Sequence, residues 1–190
     1  PIFPFADASG QGFEVEIVRL LAHRLGRELD LVPVIQGVHG FARRTLGEGL
    51  CDVLTGMPAG AEGALTTQPY YRSTWMFVAR AGQPLPASFD DPRLATWRVA
   101  VPVVGEGWDT PPVAALARRG IVRSLRRYPI AVRQPAGPFA AVAAGEADLA
   151  IAWGPVASWY VAHAPVPLVL APTPAADGDI RFTAAAALAV

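Results

Sequence analysis

The chain has 190 residues, enough for one large or two small domains. Hydrophobic residues make up 52% and charged residues 17%, which supplies a buried core and excludes a disordered chain. Sixteen basic residues, all of them Arg, balance sixteen acidic ones, so the chain lacks the basic excess with which a general nucleic-acid binder neutralises phosphates. In chain order, Gly12–Ile17 opens a helix whose apolar positions, Phe13, Ile17, Leu20, Leu21 and Leu25, follow helical spacing up to a stop signal at Gly26. Leu29–Ile35 is rich in strand formers, with Pro33 interrupting it. Phe41–Leu46 reads as a short helix, Cys51–Thr55 as a strand running into Gly56, and Thr74–Val78 as a further strand. The Pro/Gly/Asp-rich stretch 81–92 is an exit from one lobe. Beyond it come a strand at Arg98–Pro102, a helix at Val113–Arg119 and a strand within Ile121–Val132. A helix at Phe139–Gly145, a strand at Asp148–Trp153 and a helix at Pro155–His163 follow, Pro155 suiting a helix start. A strand at Val166–Leu170, a loop at 172–179 and a final strand at Ile180–Val190 complete the chain.

Strands alternating with helices imply parallel-dominated sheets with crossover helices, an α/β fold. The two interruptions divide it into lobe 1 (residues 1–80, completed by a returning strand at 180–190) and lobe 2 (residues 81–179). A cleft between lobes and the carboxyl ends of parallel strands are the usual places for a ligand. No apolar run reaches the roughly 20 residues that span a bilayer, so membrane insertion is not expected. No signal peptide is visible, and the abrupt start and apolar end suggest a chain clipped at both termini.

Reactive groups do not cluster. His23, His39 and His163 are scattered without metal-ligand spacing. Glu14 and Glu16 are two apart and point different ways on a helix, so a favourable charge near a helix N-terminus is the preferred reading for both. Gly56–Gly60 lacks the Gly-Lys-Ser/Thr ending of a phosphate loop, and no G-x-S-x-G elbow occurs. No catalytic constellation, metal site or cofactor is expected. Cys51 is the one cysteine, either a buried thiol or half of a disulfide.

Specific segments carry more than pattern. Gly12-Phe13-Glu14-Val15-Glu16-Ile17, Cys51-Asp52-Val53-Leu54-Thr55-Gly56-Met57 and Thr66–Ser73 resemble extracellular solute-binding proteins of the polar-amino-acid type (family 3), as does Ala144–Ile151. Leu65–Ser73, Asp90–Leu94, Thr110–Val122 and Ala152–Pro155 resemble a narrower branch, the MxaJ/XoxJ-type accessory proteins of methanol oxidation. The resemblance implies a two-lobed, type II periplasmic-binding-protein-like fold and a periplasmic location. It implies a non-enzymatic role toward a pyrroloquinoline-quinone (PQQ)-dependent methanol or alcohol dehydrogenase, in its activation or maturation, with that enzyme's cytochrome c as a further partner. It also implies a disulfide from Cys51 to a cysteine preceding Pro1. A monomer or weak dimer is expected.

The departures from that family are informative. Its amino-acid receptors hold the ligand carboxylate with an Arg and the ammonium with an Asp, because buried ligand charges must be paired. The stretch matching the Arg is Pro58–Gly63, which has none, and the position matching the Asp is Trp153. An amino-acid ligand is therefore not expected, and an apolar interlobe cleft is. Its candidate residues are Phe5, Met57, Tyr70, Tyr71, Arg72, Trp75, Trp108 and Trp153, since large amphipathic aromatics anchor interfaces. For Trp75 and Tyr70 an ordinary core position is the favoured reading. For Trp108 and Trp153 core and cleft weigh evenly, and Arg72 reads best as a solvated surface residue. The alternative function is an ABC-transporter receptor for an uncharged or aromatic small solute.

Overall fold

A computed structural model describes residues 3–7, 9–34, 40–103, 109–129 and 136–190. The chain forms two compact units, Pro1–Arg72 with Ala184–Val190, and Ser73–Thr183. Two strands carry the chain between them, β2 (Tyr71–Arg80) at one crossing and β9 (Thr183–Ala189) at the other.

The first unit is built on helix α1 (Phe13–Arg24) and strand β1 (Leu54–Pro58), which pairs antiparallel with β9 (Thr183–Ala189). The segment leading to β2 lies along β9 as well. Thr67 and Tyr70 donate backbone N–H to the carbonyls of Leu188 and Ala186, each at 2.9 Å. Val15, Leu54, Ala187 and Ala189 form its buried interior. The apolar stripe expected of α1 is only partly covered, for Leu20 and Leu25 are exposed. Arg43–Gly47 forms a π-helical turn that overlaps the helix expected at Phe41–Leu46.

Two expectations fail here. The described part of Leu29–Ile35, residues 29–34, is not a strand; Leu29, Leu31 and Val32 are exposed, and Pro33 has no N–H to give a ladder. The strand expected at Cys51–Thr55 sits later, at Leu54–Pro58, where it meets β9. Pairing with a partner, rather than propensity, set its register.

The second unit is a five-stranded mixed sheet in the order β6–β2–β5–β3–β4. Its strands are β2 (Tyr71–Arg80), β3 (Val99–Val103), β4 (Leu125–Pro129), β5 (Leu149–Trp153) and β6 (Leu168–Pro172). β3, β4 and β5 are parallel, while β2 runs antiparallel to both β5 and β6, so β2 alone opposes the rest. Strand periodicity of two sorts the side chains onto two buried faces. Trp75 and Phe77 of β2, Val99, Val101 and Val103 of β3, and Leu149 and Ile151 of β5 point to one face, covered by Leu116 and Val113 of helix α2 (Pro111–Arg118) and by Phe89, Leu94 and Phe182. Val78, Ala100, Ala150 and Ala152 point to the other, covered by α3 (Gly137–Ala144) and α4 (Gly154–Ala162) through Phe139, Val142 and Ala157. Burial on both faces explains why these strands read as near-continuous apolar runs.

The loop expected at 172–179 holds a small hairpin, β7 (Ala176–Asp177) with β8 (Ile180–Arg181). Arg119 at the end of α2 ties it down, donating to the Asp177 carboxylate at 2.5 Å while also reaching Asp90 at 2.8 Å.

Candidate binding surfaces

In the first unit the residues before α1 fold back over its start. Phe13 and Glu14 donate their backbone N–H to the carbonyls of Pro4 and Phe5, at 3.0 and 3.1 Å, so two of the otherwise unpaired donors of the helix N-terminus are satisfied by the chain itself. This crossing demands glycine at position 12: its φ is 135°, and a Cβ there would lie 2.1 Å from the Phe5 carbonyl oxygen. Asp7 holds the turn by accepting from the backbone N–H of Ser9 and Gln11, both at 2.8 Å, and these bonds keep its carboxyl below the usual range.

The fold-back gathers four rings. Phe5 lies 5.2 Å from Phe13 and 6.0 Å from Tyr71, centroid to centroid. Phe13 meets Tyr71 edge-on at 5.6 Å, and Tyr70 meets Tyr71 at 5.3 Å. Tyr70 is fixed by its hydroxyl, which donates to Glu14 Oε1 at 2.5 Å and accepts the Gly56 N–H at 2.8 Å. Burial pushes the Glu14 carboxyl up, against the lowering effect of hydroxyl bonds from Tyr70 and Thr55. Burial, then the Glu14 carboxylate, pushes the Tyr70 phenol far up. Glu14 lies in the first turn of α1, as the reading of a helix N-terminal charge expects, and it is in addition buried and hydrogen-bonded. Neighbouring β1 carries Met57, half-buried and opposite Ala187. Arg72 is exposed.

In the second unit Trp75 of β2 and Trp153 at the end of β5 are a cross-strand pair, their rings edge-on at 6.1 Å. Trp75 is a core residue. Its N–H donates to the Phe182 carbonyl at 3.0 Å, and its own carbonyl accepts from the Thr173 N–H and hydroxyl at 2.9 and 3.1 Å. Trp153 is half-buried and leads straight into α4. Trp108 and His39 lie outside the described residues. Of the expected residues, then, Phe5, Tyr70 and Tyr71 come together in one unit, and Trp75 and Trp153 in the other.

Sequence reasoning missed Phe13 and Glu14 as members of the first group, and it missed a surface on the second unit altogether. Neither α3 nor α4 carries a charged side chain. Between them opens an apolar groove of about 400 Å³, lined by Ala140, Ala143, Phe139, Tyr160, His163 and Pro165. Tyr160 stacks on Phe139 at 5.0 Å and Trp159 on His163 at 4.1 Å. The absence of charge along both helices was the available signal. Among the described residues no group of His, Cys, Asp and Glu could hold a metal ion, and no helix is long and apolar enough to cross a membrane. Cys51 is a half-buried free thiol, and no second cysteine occurs in the 190 residues to form the disulfide implied by resemblance.

No family model matches the chain. It is 32% identical over 192 aligned residues to protein MoxJ of Methylorubrum extorquens, a match that covers 92% of this chain. MoxJ is thus a protein that this chain resembles in sequence. A second MoxJ, from Paracoccus denitrificans, is 48% identical over 77 residues, 40% of this chain. The chain spans 63% and 28% of the lengths of these two relatives. Among solved structures, MxaJ from Methlophaga aminisulfidivorans MPT has TM-score 0.78 at 25% identity, covering all of this chain (100%) and 83% of its own. The periplasmic binding protein XoxJ from Methylobacterium extorquens AM1 has TM-score 0.76 at 28% identity, covering 99% of this chain and 80% of its own. An ancestral cationic amino acid solute-binding protein shares the fold at TM-score 0.73 and 23% identity, over 100% of this chain and 77% of its own. The fold is that of the periplasmic binding proteins, an α/β architecture as the sequence implied.

Proposed function

We propose that this protein is a non-enzymatic, periplasmic accessory protein that binds a PQQ-dependent methanol or alcohol dehydrogenase and helps to activate or mature it. The observation that carries the reading is Trp153. At the end of β5, where resemblance to amino-acid receptors calls for an Asp to meet the ligand ammonium, an indole packs against Trp75 instead. A zwitterion placed there would leave an ammonium without its counter-charge, which costs several kcal/mol. An indole offers apolar, edge-polar surface of the kind that anchors protein partners. Similarity to MoxJ over 92% of the chain supports the dehydrogenase as that partner, and similarity to the periplasmic binding protein XoxJ supports the compartment. The dehydrogenase's cytochrome c is the second partner to test.

The test mixes the full-length protein with purified dehydrogenase and follows co-elution on a sizing column together with methanol-dependent dye reduction. Co-elution and a rise in the active fraction of enzyme are expected. Separate elution and unchanged activity, together with a melting temperature raised by a small uncharged or aromatic solute, would favour a transport receptor instead.

A further inference from the structure

The buried carboxyl of Glu14 serves nothing in the reading above. Glu14 is 6% exposed in the first turn of α1, and the groups acting on its carboxyl among the described residues are the hydroxyls of Tyr70 and Thr55. A carboxylate only accepts, so the single Tyr70 proton goes to Glu14 Oε1, at 2.5 Å. That leaves the phenol oxygen's lone pairs to accept the Gly56 N–H at 2.8 Å. Gly56 has φ 68°, and the β1–β9 register shifts between Leu54 and Met57, so Gly56 lies in a bulge of β1. Bulges re-aim the side chains beside them, and Met57 is the next residue. One chain of two hydrogen bonds thus pins three separate pieces of chain, the start of α1, the bulge of β1 and the entry to β2.

We propose that Glu14 is a positioning residue: acting through the Tyr70 hydroxyl, it locks the Gly56 bulge and so sets how Met57 and the Tyr70–Tyr71 pair are offered to a partner protein. The lock stands on this geometry alone, while its consequence for a partner rests on the function proposed above.

The full-length protein tests it as wild type and in two variants, Tyr70→Phe and the isosteric Glu14→Gln. Nuclear magnetic resonance reads amide exchange at Gly56 and the carboxyl titration of Glu14, and calorimetry reads binding to the purified dehydrogenase. In Tyr70→Phe the Gly56 amide is expected to exchange about tenfold faster, as one lost hydrogen bond allows. In the same variant the Glu14 midpoint moves up, since a hydroxyl that favours the ionised form is gone. Glu14→Gln exchanges a charged acceptor for a weaker neutral one and so also speeds Gly56 exchange, and both variants bind the dehydrogenase several-fold more weakly. Unchanged Gly56 exchange in either variant, or an unmoved Glu14 midpoint in Tyr70→Phe, overturns the lock whatever the dehydrogenase does. A wild type that fails to bind while Gly56 and Glu14 respond as stated overturns the partner role and leaves the lock standing.

Discussion

Trp153→Ala removes the indole on which the proposed function rests. Trp153 is half-buried, packs on the larger core cluster and meets Trp75 edge-on at 6.1 Å. Truncating a fully buried Trp to Ala costs about 3–5 kcal/mol, and an aromatic pair contributes about 0.5–1.5 kcal/mol beyond its burial. With part of the side chain still in water, the expected loss is about 2–3 kcal/mol. For a domain of this size each kcal/mol lowers Tm by roughly 2–4 °C, so melting should fall by about 4–12 °C. Trp153→Phe keeps a ring against Trp75 and should lose less than about 1.5 kcal/mol. Urea denaturation followed by far-ultraviolet circular dichroism reads both variants. A Trp153→Ala protein within about 0.5 kcal/mol of wild type, the range of an inert surface change, would refute the packing assigned to this indole. The same pair separates packing from recognition. If Trp153 touches the dehydrogenase, Trp153→Phe holds its stability and still loses affinity.

Further perturbations follow from particular contacts. Gly12→Ala forces a Cβ to 2.1 Å from the Phe5 carbonyl oxygen at φ 135°, so the fold-back over α1 must shift; a loss of at least about 2 kcal/mol in thermal or urea unfolding is expected. Asp148 accepts from the Arg98 guanidinium at 2.7 and 3.0 Å and from the Arg98 backbone N–H at 2.8 Å, which depresses its carboxyl. A depressed carboxyl is protonated first in the unfolded chain, so its stabilisation is present above the ordinary carboxylate range and is lost as pH falls through the lower folded value. Asp148→Asn should therefore cost on the order of 1 kcal/mol at neutral pH and converge on wild type in acid, read by urea titrations across pH. Burial, then the charge of Asp52, pushes the Cys51 thiol up, so Cys51 should react with iodoacetamide more slowly at neutral pH than a free cysteine, by mass spectrometry under native conditions.

How far the sequence could be read follows from where the deciding contacts lie along the chain. The four α-helices among the described residues stood out, because their signals are local: Gly12 before α1, Pro111 and Pro155 at helix starts, and a Gly145 in the left-handed region after α3. The central strands of the second unit were legible because both faces are buried, leaving apolar runs such as Leu149–Ala152. Leu29–Ile35 misled because strand formers without a neighbour do not make a strand, and β1 slid three residues because β9, far along the chain, sets its register. Trp75 showed itself as core through its place in an alternating strand. Glu14 could not be read, since its partner Tyr70 is 56 residues away and no spacing rule reaches that far. The groove beside α3 and α4 escaped for the opposite reason: two wholly uncharged helices were in plain view, but which faces remain open depends on how they pack against the sheet.

In the function proposed, this binding-protein fold grips a protein rather than a charged small molecule. Isothermal titration of the full-length protein, first with purified PQQ-dependent methanol dehydrogenase and then with arginine and a panel of other amino acids, tests it most directly. Saturable heat with the dehydrogenase and none with any amino acid at millimolar concentration is the predicted result. A tightly bound amino acid and a silent dehydrogenase would contradict it.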